Sequence, residues 1–406
     1  MTTHDTKRNT TGSDFLNGDS VLFAPSVAND PLPAYERLRS ECPISRGEGW
    51  SGHPHVIVSR YEDVLWALKH SEVFSSAPEG LDIGQEQKLI PLQVDPPEHA
   101  KYRRLLDPEF APKRMAVLEP SIRALVNELI DGFVDRGACD VHDEFATPLP
   151  SGVFLTLMGW PMSDLPMFLK WRDDTVRPDV PADDFAAAAA VRERVGHELS
   201  EYFDQKVVEV RRNPKDDLLT RVAHGEVEGR PLTREETLGI LHLLLLGGLD
   251  TVSATLDCAF AYLANHPDRR RVIVEDPTLM SAAVEELLRQ QCPVMMVVRV
   301  LKEDCELAGV QVKAGDHATI LIGAANTDGA EFSDADGVDF AREANRHLAF
   351  GAGPHRCLGS NLARTELRVA LEEWHRRIPE YRIPDGTELT YSLGIRQTAQ
   401  LPLVWS

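Results

Sequence analysis

The chain has 406 residues, 43% of them apolar, and its 43 Lys and Arg face 64 Asp and Glu, a net charge of −21. That length suffices for a large buried core, and that acidity excludes nonspecific binding to nucleic acid or anionic membranes. The six cysteines are scattered with no C-x-x-C pair, which excludes a zinc cluster and a disulfide framework.

The opening stretch MTTHDTKRNTTGSDFLNGDS is polar and has no apolar signal core. Residues 1–25 therefore read as a flexible lead-in, and a cytoplasmic protein is expected. From 26 to 406 there is no internal repeat, no Ser/Gly linker and no composition break, so one domain is expected. Amphipathic spacing predicts helices around 31–40, 61–70, 97–106, 115–136, 187–212, 233–265, 277–291 and 358–377. Apolar, β-branched runs are fewer: HVIVS near the front, then VMMVVRVL, HATILIG and TAQLPLVW in the last third. The fold class is mainly α with a smaller β region.

The stretch 233–265 is the most informative helix. Thr233 and Glu236 form a capping box, and His266-Pro267 stops the pattern. At 1.5 Å per residue it would run about 48 Å, enough to cross a domain. Its middle, LHLLLLGGLDTVSATL, is apolar nearly all round, so it is buried. His242, two glycines, Asp250 and Thr251 interrupt the apolar run, which argues against a membrane span. Gly247-Gly248 weakens a helix and a buried Asp250 needs partners. Either this is a local kink around a hydrogen-bonded aspartate, or the glycines open a groove beside a bound molecule and Asp250 and Thr251 carry protons into a dry site.

In AFGAGPHRCLGSNLART, Cys357 lies between a glycine-rich loop and a helix start, where free N–H groups favour a thiolate. Gly351, Gly353 and Gly359 allow left-handed turns or close approach to a flat ligand. On these residues alone Cys357 is an inert buried thiol, a nucleophile, or the axial ligand of a haem iron.

Phe350, Gly353, Cys357 and Gly359 spell F-x-x-G-x-x-x-C-x-G, and here the chain resembles the cytochrome P450 family. Other pieces follow in the family's order. DPPEHAKYRR precedes GGLDT; EELLR gives Glu286 and Arg289 as E-x-x-R; VDFAREANRH gives Arg342, the third member of that structural cluster. The resemblance runs from about residue 30 onward and implies the family's prism-like fold around one haem b. GGLDTV, VDF-x-R, H-x-CLG, NLAR and LPLVW make it similar to the camphor-hydroxylating branch. Residues 80–95 contain no tyrosine to hold a camphor ketone, and Gln87 is the nearest counterpart.

The resemblance implies a monooxygenase that inserts one atom of O2 into a C–H bond. Cys357 would ligate iron as a thiolate, with the N–H groups of Leu358 and Gly359 donating to the sulfur. His99, Arg103, Arg299 and His355 would hold the haem propionates, although Arg299 could instead pair with a protein carboxylate. Thr251 would hydrogen-bond dioxygen and Asp250 would relay protons. Gln87, Leu89, Leu92, Leu243, Leu246, Gly247, Val294, Met295, Met296, Val297 and Ile395 would line a substrate pocket. Their apolar character suits a compact hydrophobic guest, terpenoid-sized, with fatty acids and steroids as alternatives; for several of them ordinary core is the competing reading.

No flavin, nicotinamide or iron–sulfur motif is present, so electrons would come from an iron–sulfur ferredoxin and its NAD(P)H-dependent reductase. The partner would dock on a local basic face that includes Arg103, Arg104 and Arg364. A monomer is expected. A peroxide-driven oxygenase, a haem sensor and a nonenzymatic scaffold are the rivals; the Asp250–Thr251 pair argues against the first two, and Gly248, Asp250 and Cys357 against the third.

Overall fold

The computed structural model describes residues 25–48, 54–76, 87–176, 178–181, 184–392 and 394–406. The lead-in expected over 1–25 lies outside these residues, apart from Pro25, which opens a short helix, Pro25–Asn29.

Helices dominate. Leu32–Glu41, Tyr61–Lys69, His99–Leu106, Pro112–Asp131, Phe185–Arg212, Met280–Gln291 and Ser360–Arg377 coincide with predicted stretches. The 115–136 stretch ends early: Gly132 stops the helix, and a 3-10 turn, Val134–Arg136, closes on left-handed Gly137. Pro148–Met158 and Leu165–Val176 are helices that the spacing does not reveal.

The predicted 233–265 helix forms as two segments, Arg234–Leu249 and Thr251–Asn265, broken at Asp250. Its capping box is present: Glu236 N donates to Thr233 Oγ1 at 3.2 Å and Thr233 N to Glu236 Oε2 at 2.7 Å. This is the one stretch among the described residues long and apolar enough to cross a membrane, and two thirds of its most apolar window is buried inside the protein.

The main sheet has five strands in spatial order Ile44–Glu48, Pro54–Val58, His317–Ile320, Val297–Leu301, Phe74–Ser75. His317–Ile320 runs parallel to Pro54–Val58 and antiparallel to Val297–Leu301, pairing Ala318 with Arg299. Arg299 is thereby fixed in an interior strand. A second sheet pairs Pro402–Val404 with Ala138–Asp140; Val141 N donates to Leu401 O, Trp405 N to Gly137 O and Trp405 Nε1 to Val134 O.

The largest core lies where Ser360–Arg377 packs on Pro112–Asp131. Fully buried Trp374 is its hub, with Phe133, Phe145 and Phe260 at centroid distances of 4.6–5.5 Å. These contacts hold the Thr251–Asn265 segment against the helix that follows Cys357.

Candidate active site

The cysteine loop is shaped by two left-handed glycines, Gly351 (φ 67°) and Gly353 (φ 66°). A Cβ on Gly353 would lie 2.5 Å from Leu68 O and 2.9 Å from Lys69 Cα, so the loop can sit on the end of the Tyr61–Lys69 helix only with glycine there. Cys357 N donates to Phe350 O at 2.8 Å and Arg356 N to Gly353 O at 3.2 Å, which closes the loop before Ser360 begins its helix. Cys357 is exposed by accessible area, yet protein surrounds it closely enough that burial pushes its thiol up. The side chain thus faces an internal space rather than the outer surface. The Gly359 N–H and the guanidiniums of Arg103, Arg356 and Arg364 pull the other way. A bound metal cation would complete the shift to thiolate.

The bend in the central helix supplies hydroxyl groups. Thr251 Oγ1 donates to Gly247 O at 3.1 Å and Ser253 Oγ to Leu249 O at 3.1 Å, the back-bonding that accompanies helix bends. Asp250 is buried at the break itself. The two glycines differ. A Cβ on Gly247 would meet nothing within 4 Å, whereas one on Gly248 would lie 3.0 Å from Phe154. Gly247 therefore borders open space, and Gly248 admits a packed aromatic ring. Leu358 packs against the cluster that Leu241, Leu244 and Leu245 build on the first segment, which ties the bend to the cysteine loop.

Beside the loop lie three nitrogen-bearing side chains with few protein partners. The rings of His99 and His355 are 4.4 Å apart, and the Nε2 of each is buried with no hydrogen-bond partner. Arg299 is buried, and its hydrogen bond is to its own neighbour's carbonyl, Val298 O, at 2.7 Å. Burial, with Arg299 and His99 adding repulsion, pushes His355 down to about 3, and burial lowers Arg299 to about 10. His99 is lowered by burial and by Arg103. A cluster that penalises its own positive charge, and leaves donors unmatched, fits an anion supplied from outside. The two carboxylates of a haem, with iron at the adjacent sulfur, match this donor set. Arg103 is partly committed, to Asp107 Oδ1 (2.6 Å) and Arg356 O (2.7 Å).

Glu286, Arg289 and Arg342 come together as expected. Arg289 Nε and Nη2 donate to both Glu286 oxygens at 2.9 and 2.8 Å, and Arg342 Nε reaches them at 3.1 and 3.0 Å. Arg289 also donates to the carbonyls of Asn326, Ala335 and Gly337. Two asparagines that no motif marked extend this network: Asn345 Nδ2 donates to Glu286, and Asn326 Oδ1 accepts Leu348 N at 2.6 Å, just before the cysteine loop.

Of the expected pocket residues, Gln87, Leu92, Leu243, Leu246, Val294, Met296, Val297 and Ile395 are half-buried and Gly247 is exposed; Val294 and Ile395 pair as a β-bridge. Leu89 is buried. Met295 requires correction: it is wholly buried in a cluster with Tyr35, Leu38, Ile57 and Leu321, and is core. The basic face is also narrower than expected. Arg364 bonds Glu285 at 2.6 and 2.9 Å and stacks on Phe350, Arg103 is tied down as above, and Arg104 is exposed.

Comparison with known proteins agrees with this arrangement. The family model for cytochrome P450 matches residues 47–374. A probable cytochrome P450 127A1 of Sinorhizobium fredii is 34% identical over 391 residues, 95% of this chain and 92% of that protein. The steroid C26-monooxygenase of Mycobacterium tuberculosis is 34% identical over 367 residues, 88% of each chain. The solved structure of PksS, the cytochrome P450 of the Bacillus subtilis bacillaene polyketide synthase, superposes with a TM-score of 0.87 at 30% identity, covering 95% of this chain and all of that one. A family-wide match in sequence, a shared fold and a cysteine loop set beside unmatched donors lead to one assignment: the chain belongs to the cytochrome P450 family and is a monooxygenase of that family.

Proposed function

We propose that this protein holds haem b through Cys357 and hydroxylates a compact hydrophobic substrate of terpenoid to steroid size. Haem, when bound, supplies the activation of dioxygen and the transfer of one oxygen atom to a C–H bond. The chain's own residues do the rest. His99, Arg299 and His355, with Arg103 at the edge, receive the propionates beside Cys357, where the buried Nε2 atoms of both histidines have no protein partner and Arg299 reaches only its neighbour's carbonyl. That unmatched cluster beside Cys357 is the observation that carries the reading.

Leu243, Leu246, Gly247, Val294, Val297 and Ile395 exclude water from the substrate's side and orient it by shape. Thr251 holds a proton at its hydroxyl, and buried Asp250 restores it from outside, which is general-acid work at the bend. The steroid C26-monooxygenase among the relatives supports a guest larger than a monoterpene. Electrons come from a ferredoxin, for which exposed Arg104 and Arg356 beside the cysteine loop offer positive charge in an otherwise acidic protein.

The test is spectroscopic. Reduced, CO-bound protein should give the strongly red-shifted Soret band of thiolate ligation, and Cys357→Ala should lose it. Titration with camphor, testosterone and palmitate, following displacement of water from iron, then ranks the substrate classes. A colourless protein after reconstitution with haem would overturn the proposal.

A further inference from the structure

Ile395 sits at the tip of a turn that one side chain fastens to three separate parts of the fold. Arg396 is buried. Its Nε donates to Ala28 O at 2.7 Å, Nη2 to Asn29 O at 3.3 Å and Nη1 to Gln291 Oε1 at 3.1 Å. The guanidinium lies over the Tyr391 ring, 4.0 Å from its centroid. The backbone of the same residue is held as well. Arg396 N donates to Pro293 O at 2.8 Å, and Cys258 Sγ on the second segment of the bent helix donates to Arg396 O at 3.2 Å. Asn29 Oδ1 accepts Tyr391 N at 3.0 Å, and Met295 N donates to Gly394 O at 3.1 Å.

We propose that Arg396 is a positioning residue for substrate selection: by clamping Tyr391 and residues 394–397 between the Pro25–Asn29 helix, the end of the Met280–Gln291 helix and the bent helix, it fixes how far Ile395 and Val294 project toward the substrate. The inference rests on the pocket reading above. A planar guanidinium suits the task because it can stack on Tyr391 and donate in three directions at once, which an ammonium cannot. Its charge is delocalised and satisfied largely by backbone carbonyls, so the clamp does not depend on a carboxylate partner. The position of Ile395 is thus set from outside the pocket, by residues that never touch the guest.

Two nitrogen ligands separate this role from a merely structural one. Imidazole reports access to the iron, and 4-phenylimidazole also fills the space beside Ile395; both are titrated by visible absorption on haem-loaded protein. In Arg396→Lys, the Kd of 4-phenylimidazole should rise about tenfold relative to that of imidazole, the low end of what one misplaced methylene costs a hydrophobic pocket. Tyr391→Leu, which removes only the ring under the guanidinium, should shift the ratio in the same direction by about threefold. A ratio unchanged in a variant with an intact CO spectrum, or both probes weakening in step, would overturn the role. If Arg396→Lys does not accumulate as folded protein, Tyr391→Leu and the wild type decide. In wild-type protein, hydrogen exchange over 25–30 and 391–398 should slow together on binding 4-phenylimidazole and not imidazole, and exchange that leaves 25–30 unaffected counts against the clamp. Failure of the wild type to respond to imidazole would overturn the haem reading itself, a result distinct from an unchanged ratio.

Discussion

Adding one methyl group at each of the two adjacent glycines should have opposite consequences. Alanine is favoured over glycine inside a helix by about 0.5–1 kcal/mol. At Gly247 a Cβ meets nothing within 4 Å, so Gly247→Ala should keep that gain in stability. The same methyl enters the space where the guest would lie, and overfilling a shaped site costs about 1–3 kcal/mol, a roughly 5- to 150-fold loss in affinity for 4-phenylimidazole with imidazole little changed. At Gly248 the new Cβ would stand 3.0 Å from Cδ2 of Phe154, a ring 4% exposed and wedged against Trp160. The ring must shift, at about 1–3 kcal/mol against the helix gain, so Gly248→Ala should lose roughly 1–2 kcal/mol net while the affinity ratio of the two ligands stays near wild type. Guanidinium chloride unfolding and absorption titrations on the haem-loaded proteins measure both. If Gly247→Ala destabilises as much as Gly248→Ala and binds both ligands like wild type, Gly247 does not border the substrate space.

Removing Arg289 leaves the wholly buried Glu286 carboxylate short of a charged partner and three backbone carbonyls without a donor. Arg289→Met should therefore cost about 3–5 kcal/mol, read from the denaturant midpoint, and a loss under about 1 kcal/mol would contradict the assignment. Thr251→Ala should lower product formed per NADH at least about tenfold in a ferredoxin-supported assay, with NADH still consumed, and Thr251→Ser should recover most of it; full coupling in Thr251→Ala would remove the threonine from the proton path. Burial alone would raise the Glu285 carboxyl, but hydrogen bonds from His347 and Arg364 bring it down to about 2. A depressed carboxylate contributes stability above its unfolded value near 4.5 and loses it as pH falls toward 2. Glu285→Gln should accordingly be about 1–2 kcal/mol less stable than wild type at pH 7, the group being partly solvated, and the gap should close between pH 4.5 and 2. A gap that is constant with pH would assign the effect to packing.

Much of this architecture was legible because the signals are local. Thr233 and Glu236 announce a helix start by spacing alone, and the FGAGPHRCLG loop declares itself through Gly351 and Gly353, which the observed backbone places at positive φ. The Pro148–Met158 helix was not legible: PLPSGVFLTLM mixes turn-forming Pro and Gly with residues buried on every side, so no period emerges, although Pro148 at its first position favours a helix start. Gly247, Gly248 and Asp250 read in sequence as either a kink or a groove within one stretch 233–265, and the break falls at Asp250 between two halves that are each helical. At the site, identity was readable and commitment was not. Arg103, Arg104 and Arg364 look alike in sequence, yet only packing shows that Arg364 is absorbed by Glu285 and Phe350 while Arg104 remains exposed. Met295 and Met296 are neighbours of the same type, and only packing separates the core one, clustered with Tyr35 and Leu38, from its half-buried neighbour. Arg396 carries no motif, since the hydrogen-bond acceptors of its guanidinium lie more than 100 residues away.

The strand Pro402–Val404 closes on Ala138–Asp140 across more than 260 positions. During translation, the edge at 138–140 waits without its partner strand, and Phe133 without its contact to Trp405, although Phe145 and Trp374 reach Phe133 earlier. Early segments can gather their helices as they emerge, but this seam can be sealed only after residues 402–404 have been made. The nascent chain therefore carries this β-edge without its partner while residues 141–401 are added, about two thirds of the 406, a period in which chaperone supply should govern yield.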